Sequence, residues 1–437
     1  MSKPIVAIIG RPNVGKSTLF NRLVGRRQAI VDKQEGITRD RIYAPVEWTG
    51  KEFTLVDTGG YIPDEADIMD SAVRQQVEIA LEEADFLLFV VDGRDGISPT
   101  DEVLADIIRR SDKDYLLLVN KIDSDKQDLL EHEFHRLGLE KLISVSALSS
   151  RKIGDLLDNV VAALGDSALP KAEDPDDIRV AIVGMPNVGK SSITNLLLGE
   201  DKSIVTDIPG TTRDSIDSRI KYHGKTIVLV DTAGMRRKAK VRESIEFYSN
   251  LRTFRAIDDA HIAIVVVDAD KGFDKQDQQI VRQVIDSGRG LILAVNKWDL
   301  IQKETNTMDE FKKEIKRLFK SLEDYPMMFT SAKTKQRISK LMPLCLDVHK
   351  RWGQRISTRI INKTLDRAVK QYQPPAVKGK KIRLKYGSQV SQRPPRIAIF
   401  SNWPELIPVS YKNYLENQFR TQFDFTGVPL KFSYRIS

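Results

Sequence analysis

The chain of 437 residues reads as an α/β protein: two doubly wound, mostly parallel sheets in tandem, followed by a small α+β domain. Three observations predict this: a series of short strings that occurs twice, apolar runs of strand length alternating with helical patterns inside each copy, and a basic tail with a different rhythm. GRPNVGKS at 10–17 returns as GMPNVGKS at 184–191, ITRD at 37–40 as TTRD at 211–214, and DTGG at 57–60 as DTAG at 231–234, all offset by 174 residues. NKID at 120–123 returns as NKWD at 296–299 (offset 176), and SAL at 146–148 as SAK at 331–333 (offset 185). So long a period makes each copy a self-sufficient domain and not a solenoid unit. The last two strings lie 26 residues apart in the first copy and 35 in the second, which places nine extra residues around Lys303 to Asp324.

The elements follow in chain order. Pro4 to Ile9 is an apolar run of strand length, then a Gly-rich turn, then a helix whose pattern is visible in Thr18, Leu19, Asn21 and Leu23. Phe53 to Val56, Phe86 to Val91, Tyr115 to Val119 and Leu142 to Val145 supply further strands, each followed by helical or turn sequence. Arg179 to Val183 opens the second copy in the same way. Strands alternating with helices imply right-handed crossovers, and the loops at the strands' carboxyl ends then form the site. Gly165 to Asp177 carries Pro170, Pro175 and four acids before its end with little apolar content, and reads as a linker. The expected boundaries are 1–165 for the first domain, 166–178 for the acidic linker, 179–349 for the second domain and 350–437 for the tail. In the tail a helix is expected from Thr358, capped by Ser357, to Tyr372, where Pro374 and Pro375 stop it. Strands at Lys381 to Tyr386, Arg396 to Ser401 and Val428 to Arg435 and a helix at Tyr411 to Phe423 complete it, with Tyr386, Phe400, Trp403 and Tyr411 read as its core.

Composition narrows the function classes. Hydrophobic residues make up 41% and charged residues 30%, which excludes a disordered or collagen-like chain. The single cysteine, Cys345, forbids an internal disulfide or a cysteine-based metal cluster. The longest apolar runs fall far short of the ~20 residues of a membrane helix, and the start, MSKPIVAIIG, lacks the pattern of a secretory signal. A cytoplasmic protein without a membrane partner is expected. Net charge is +8, but residues 350–437 hold eighteen Lys and Arg against four acids, giving +14 there and −6 elsewhere. An excess spread over a whole domain points to a polyanionic partner.

The repeated strings carry the chemistry. GxxxxGK[ST], twice between a strand and a helix, is a phosphate-binding loop. Gly10, Gly15, Gly184 and Gly189 let main-chain N–H groups curl around phosphates, Lys16 and Lys190 reach the β- and γ-phosphates, and Ser17 and Ser191 are Mg²⁺ ligands at helix N-termini. Asn13, Val14, Thr18, Asn187, Val188 and Ser192 complete the nucleotide-contacting positions of the two loops. Asp57 and Asp231 close apolar strands where they hold Mg²⁺ through water, Gly60 and Gly234 sense the γ-phosphate, and Thr38 and Thr212 are candidate second hydroxyl ligands. In NKxD, Asp123 and Asp299 accept two parallel hydrogen bonds from guanine N1–H and its 2-amino group, which adenine does not offer. Asn120 and Asn296 tie the base loop to the phosphate loop, the stems of Lys121 and Lys297 cover the base, and Ser146-Ala147 and Ser331-Ala332 bring amides toward guanine O6.

These strings together resemble the bacterial Der (EngA) family of double-domain GTPases, and the resemblance covers essentially the whole chain. It implies two P-loop GTPase domains that bind GTP or GDP with Mg²⁺, a K-homology-like tail, and action in maturation of the large ribosomal subunit through its rRNA, with no DNA partner and a monomeric chain expected. The tail has no Gly-x-x-Gly loop, so clamping of single-stranded RNA by such a loop is not expected. Tyr61 and Met235 stand where Ras-like enzymes place a water-orienting Gln. Intrinsic turnover should therefore be slow. Related GTPases use an Asn of the phosphate loop to hold K⁺ against the phosphates, and Asn13 and Asn187 occupy that position. Met235 to Arg242 is basic where Tyr61 to Asp70 is acidic, so the two switch segments should meet different partners, the basic one an RNA. A phosphotransferase, a membrane or cytoskeletal GTPase, and a GTPase acting on tRNA or small-subunit RNA are the competing readings.

Overall fold

The computed structural model describes residues 3–28, 43–57, 77, 80–81, 84–165, 177–199, 206–207, 217–230, 253–302, 304 and 306–436. The chain divides into two compact units, residues 1–172 and 173–437.

The first unit is built on a six-stranded sheet of β1 (Ile5–Ile9), β2 (Tyr43–Trp48), β3 (Lys51–Asp57), β4 (Phe86–Asp92), β5 (Tyr115–Asn120) and β6 (Leu142–Ser144). Its order is β2-β3-β1-β4-β5-β6, parallel except for the β2–β3 pair. Every residue of β1 and β4 is buried, as parallel strands covered on both faces require. Strand β1 lies between β3 and β4, so the chain winds away from it in both directions and the loop at its carboxyl end sits at the topological switch point. Helices α1 (Lys16–Gln28), α2 (Pro99–Arg109) and α3 (Ile153–Leu164) flank the sheet, and Leu156, Leu157 and Val160 of α3 join the core of Val6, Ile8 and Leu88. Strand β2 escaped the sequence reading because Pro45 breaks its pattern. Proline is tolerated there since β2 is an edge strand and needs no inner-ladder N–H.

The second unit repeats this plan. Strands β7 (Asp177–Val183), β8 (Thr206–Asp207), β9 (Ser218–Tyr222), β10 (Lys225–Leu229), β11 (Ile262–Asp268), β12 (Gly290–Asn296) and β13 (Met327–Phe329) form a sheet of order β13-β12-β11-β7-β10-β9-β8. The pairs of β9 with β8 and β10 are antiparallel, the others parallel. Strand β7 takes in Asp177 and Ile178, which the sequence reading gave to the linker; Asp177 accepts an ion pair from Arg219 at 2.9 Å that holds it in the sheet. Helices α4 (Lys190–Leu198), α5 (Lys275–Asp286) and α6 (Thr307–Leu318) flank this sheet. The nine extra residues are explained by α6 and a 3₁₀ turn at Lys320–Asp324, where the first copy has only 3₁₀ turns over Asp125–Leu137. Capping boxes recur at matching places: Ser98 with Asp101 starts α2, and Asp274 with Asp277 starts α5.

Helix α7 (Leu341–Trp352) runs without a break through residues 349 and 350 toward the tail, which consists of α8 (Thr358–Gln371), β14 (Leu384–Gln392), β15 (Pro395–Ser401), α9 (Val409–Gln422) and β16 (Lys431–Ile436). The tail has no separate core: Ile264 of β11, Val348 and Trp352 of α7, Leu365 of α8 and Phe419 of α9 belong to one buried cluster. Polar links close the same seam. The Trp352 indole N–H donates to Gly288 O (2.8 Å), Leu291 N to Gly427 O (2.8 Å), and Arg420 pairs with Asp324 (3.2 Å). Burial, with His261 and Arg393 beside it, holds the His349 imidazole down to about 4, so that ring packs neutral in the seam.

Three tail expectations are corrected. Strand β14 begins at Leu384 and continues through the polar run to Gln392, because it is an edge strand whose hairpin partner β15 supplies the order that hydrophobicity does not. Strand β16 starts at Lys431, since Val428 and Leu430 are buried plugs outside the sheet. Ser357 stands at the N-cap of α8, but its side chain makes no capping bond. Of the aromatic residues read as core, Tyr411 is 1% exposed, whereas Tyr386 is 45% exposed. No helix among the described residues is long and apolar enough to cross a membrane.

Candidate functional site

The loop between β1 and α1 has the backbone that a phosphate cradle needs. Gly10 has φ +147° and Gly15 +97°, and the second copy repeats this at Gly184 (+145°) and Gly189 (+102°). A Cβ on Gly10 would lie 2.3 Å from Val90 O, and one on Gly15 would lie 2.4 Å from the Asn120 Nδ2, so side-chain-free backbone is obligatory at both. The Lys16 ammonium donates to Gly10 O and Arg11 O, both at 2.8 Å, and Lys190 to Gly184 O (2.8 Å) and Met185 O (2.6 Å). Each lysine thus lies folded along its own loop. Burial pulls the Lys16 amine down to about 8 against the opposing charge of Asp57, and a polyphosphate at the loop would reverse this.

Asn120 bridges the two loops: its Nδ2 donates to Val14 O (2.8 Å) while its Oδ1 accepts from Ala147 N (3.0 Å). Asn296 does the same with Val188 O (2.8 Å) and Ala332 N (3.0 Å). The Ala147 and Ala332 amides are therefore engaged by asparagine, and a base oxygen has to share them. Asp123 and Asp299 are each held by one carboxylate oxygen, which accepts from Ser146 Oγ and Ser331 Oγ at 2.6 Å. The Ser146 hydrogen bond and the Arg94 guanidinium keep the Asp123 carboxyl below the usual range. A fixed, ionised acid is what two donors on a purine edge require.

Asp57 ends β3 and is 6% exposed, while Ser17 is exposed at the start of α1, as is Ser191 at the start of α4. A buried carboxylate and a hydroxyl beside a phosphate loop are hard oxygen donors, which suits Mg²⁺. Asn13 and Asn187 are exposed in left-handed backbone, φ +66° and +64°. Thr18 and Ser192 follow the hydroxyl ligands and are likewise exposed. Thr38, Gly60, Tyr61, Thr212, Asp231, Gly234, Met235 and the basic segment to Arg242 lie outside the described residues.

The sequence reading missed a buried acid in each copy. Asp92 and Asp268 end β4 and β11, and they pair with the NKxD lysines: Lys121 with Asp92, and Lys297 with Asp268 at 2.6 Å. Burial alone would raise the Asp92 carboxyl, but the Lys121 and Arg94 N–H bonds outweigh it and lower it. Lys121 also donates to Asn13 O (2.9 Å), linking base and phosphate loops a second time. The signal was available, since Asp92 and Asp268 share the 176-residue offset of NKxD. Arg11 was also missed. It joins the first phosphate loop to Asp101 (3.3 Å) and Asp95 (3.1 Å), where the second loop has Met185 and no such tie.

A family model described as a 50S ribosome-binding GTPase matches residues 5–121 and again 179–297, and one described as the KH-domain-like C-terminal region of EngA bacterial GTPase enzymes matches 355–435. The chain is 45% identical over 435 residues to GTPase Der of Clostridium tetani, covering 100% of this chain and 99% of that one. It is 45% identical over 430 residues to GTPase Der of Flavobacterium johnsoniae, covering 98% of each. Among solved structures, the FeoB G-domain of Methanococcus jannaschii is 26% identical over 38% of this chain and 99% of its own, with a TM-score of 0.29.

Proposed function

Because the chain belongs to the Der (EngA) family of tandem GTPases, we propose that it serves as a cytoplasmic, monomeric assembly factor for the large (50S) ribosomal subunit whose nucleotide state gates its grip on rRNA. It binds GTP and GDP with Mg²⁺ and hydrolyses GTP to GDP and phosphate. The observation that supports the proposal is the seam between the second GTPase domain and the +14 tail: one buried cluster and direct main-chain bonds join them, a contiguous packed route from the second pocket's domain to the basic one.

In each pocket the loop amides and Lys16 or Lys190 hold the polyphosphate, and Asp123 or Asp299 selects guanine. Ser17, Thr38 and Asp57 in one pocket and Ser191, Thr212 and Asp231 in the other would hold Mg²⁺, which would supply positive charge against the phosphates. Gly60 and Gly234 report the γ-phosphate to their switch segments. Arg236, Arg237 and Lys238 of the second switch meet RNA when GTP is bound.

The test is sedimentation of the full chain with 30S and 50S subunits in GTP analogue, GDP and no nucleotide. Co-sedimentation with 50S that depends on the analogue is expected, and Arg236, Arg237 and Lys238 changed together to Glu should remove that dependence. Binding to 30S alone, or to neither, rejects the proposal.

Asn13 and Asn187 are assigned to K⁺, whose charge would add to that of Lys16 and Lys190 against the phosphates. GTP turnover should then be at least roughly ten-fold faster in KCl than in NaCl at equal ionic strength, a difference of about 1.4 kcal/mol in barrier. Equal rates would remove K⁺ from the account.

A further inference from the structure

The tail lacks a Gly-x-x-Gly loop, yet its three-stranded sheet, of order β14-β15-β16, has one face that is not spent on the core. Ile397 and Ile399 of β15 are buried in the shared cluster, and Gly387 of β14 abuts α8, where a Cβ would lie 3.0 Å from Ile361. Strand residues alternate between faces. Tyr386, Arg396, Phe400, Lys431 and Arg435 therefore share the opposite face, on which the Lys431 ammonium is spent on Asp286 O at 2.6 Å. The register sets Tyr386 opposite Phe400 and Phe400 opposite Arg435, with Arg396 opposite Lys431 further along.

Tyr386 and Phe400 stack with ring centroids 4.3 Å apart and planes 12° from parallel. Tyr386 is 45% exposed although it is a large aromatic side chain, and β14 is the edge strand, so no further strand lies beyond its ring. An aromatic column at a sheet edge, inside a domain of net charge +14, matches a flat π-system carried on a polyanion.

We propose that this sheet face is a binding platform for single-stranded RNA, on which an unpaired base continues the Tyr386–Phe400 stack while Arg435 and Arg396 take the phosphates. It deepens the rRNA reading above and rests on it: the tail grips RNA through the open side of its sheet and not through a glycine loop. Unpaired bases are required, because in a duplex both faces of each base are already stacked. Little base preference is expected, since every base has a π-face.

The test is fluorescence anisotropy of the full chain with a labelled decauridine and with a labelled blunt-ended RNA duplex. Tyr386→Ala should weaken decauridine binding roughly ten-fold, the loss of one stacked base. Tyr386→Leu, which keeps apolar bulk but has no ring, should lose as much, and Tyr386→Phe should restore binding. Duplex affinity should stay within about two-fold across the series. A thermal melt by circular dichroism verifies that each variant is folded. The platform is rejected if the Ala and Leu variants bind decauridine as the parent does, if both RNAs weaken alike, or if the parent does not bind decauridine. Subunit sedimentation separates the two levels: a parent that pellets with 50S while Tyr386 variants keep full decauridine affinity overturns the platform and leaves the ribosomal reading intact.

Discussion

Replacing Gly184 by alanine is expected to leave a chain that takes up one guanosine triphosphate in place of two. The new Cβ would sit 2.2 Å from Val266 O, and the backbone there has φ +145°, where L side chains are rarely found. Val266 cannot yield, because β11 pairs with β7 on one side and β12 on the other. The loop must move instead. Its carbonyl at 184 is one of the two that hold the Lys190 ammonium, so lysine and amides lose their alignment together. Strained backbone costs of order 1–3 kcal/mol before any overlap is counted, so affinity at the second pocket should fall roughly 100-fold or more. Isothermal titration with a GTP analogue reads this directly as a stoichiometry of one, and Gly10→Ala should silence the first pocket by the same clash against Val90 O. Two sites of unchanged affinity in Gly184→Ala would sink the assignment of this loop to phosphate.

Much of this architecture is legible in the amino-acid sequence, and the reason is the duplication. An isolated Thr or SA[LK] string says little, but strings repeating in register mark residues tied to one constellation, and Asn120 and Asn296 make the matching bonds to Val14 O and Val188 O. Central strands were legible because burial on both faces leaves unbroken apolar runs such as Phe86 to Val91. Edge strands were not. Pro45 hid β2, and the polar run to Gln392 hid most of β14, since an edge strand draws its order from its neighbour. Arg11 takes its place from partners distant in sequence and not from local pattern, whereas Asp92 and Asp268 show only when the two copies are aligned. Tyr386 misled for the opposite reason: composition suggests an aromatic residue is buried, but the register decides which face it takes.

Asp299→Asn should invert base choice at the second pocket, turning it from guanine toward xanthine. The Asp299 carboxylate accepts from Ser331 Oγ at 2.6 Å through one oxygen, and a carboxylate has acceptor capacity for two donors of a purine edge. An amide there presents an N–H to guanine's 2-amino group, donor against donor, and the unmatched groups are desolvated without compensation. Xanthine carries a carbonyl at that carbon and keeps N1–H, so both bonds are restored. Sites built on such paired hydrogen bonds discriminate by roughly 10⁴ or more, and the ratio of GTP to XTP affinity should shift by about that factor. The first pocket should respond less cleanly. There Arg94 contacts the second oxygen of Asp123, and Asp123→Asn leaves that guanidinium without its carboxylate, whereas the second copy has Asp270 at the matching position. Competition titrations on Asp299→Asn in the Gly10→Ala background isolate the second pocket. Retention of GTP preference there would mean that guanine is read by groups other than this acid.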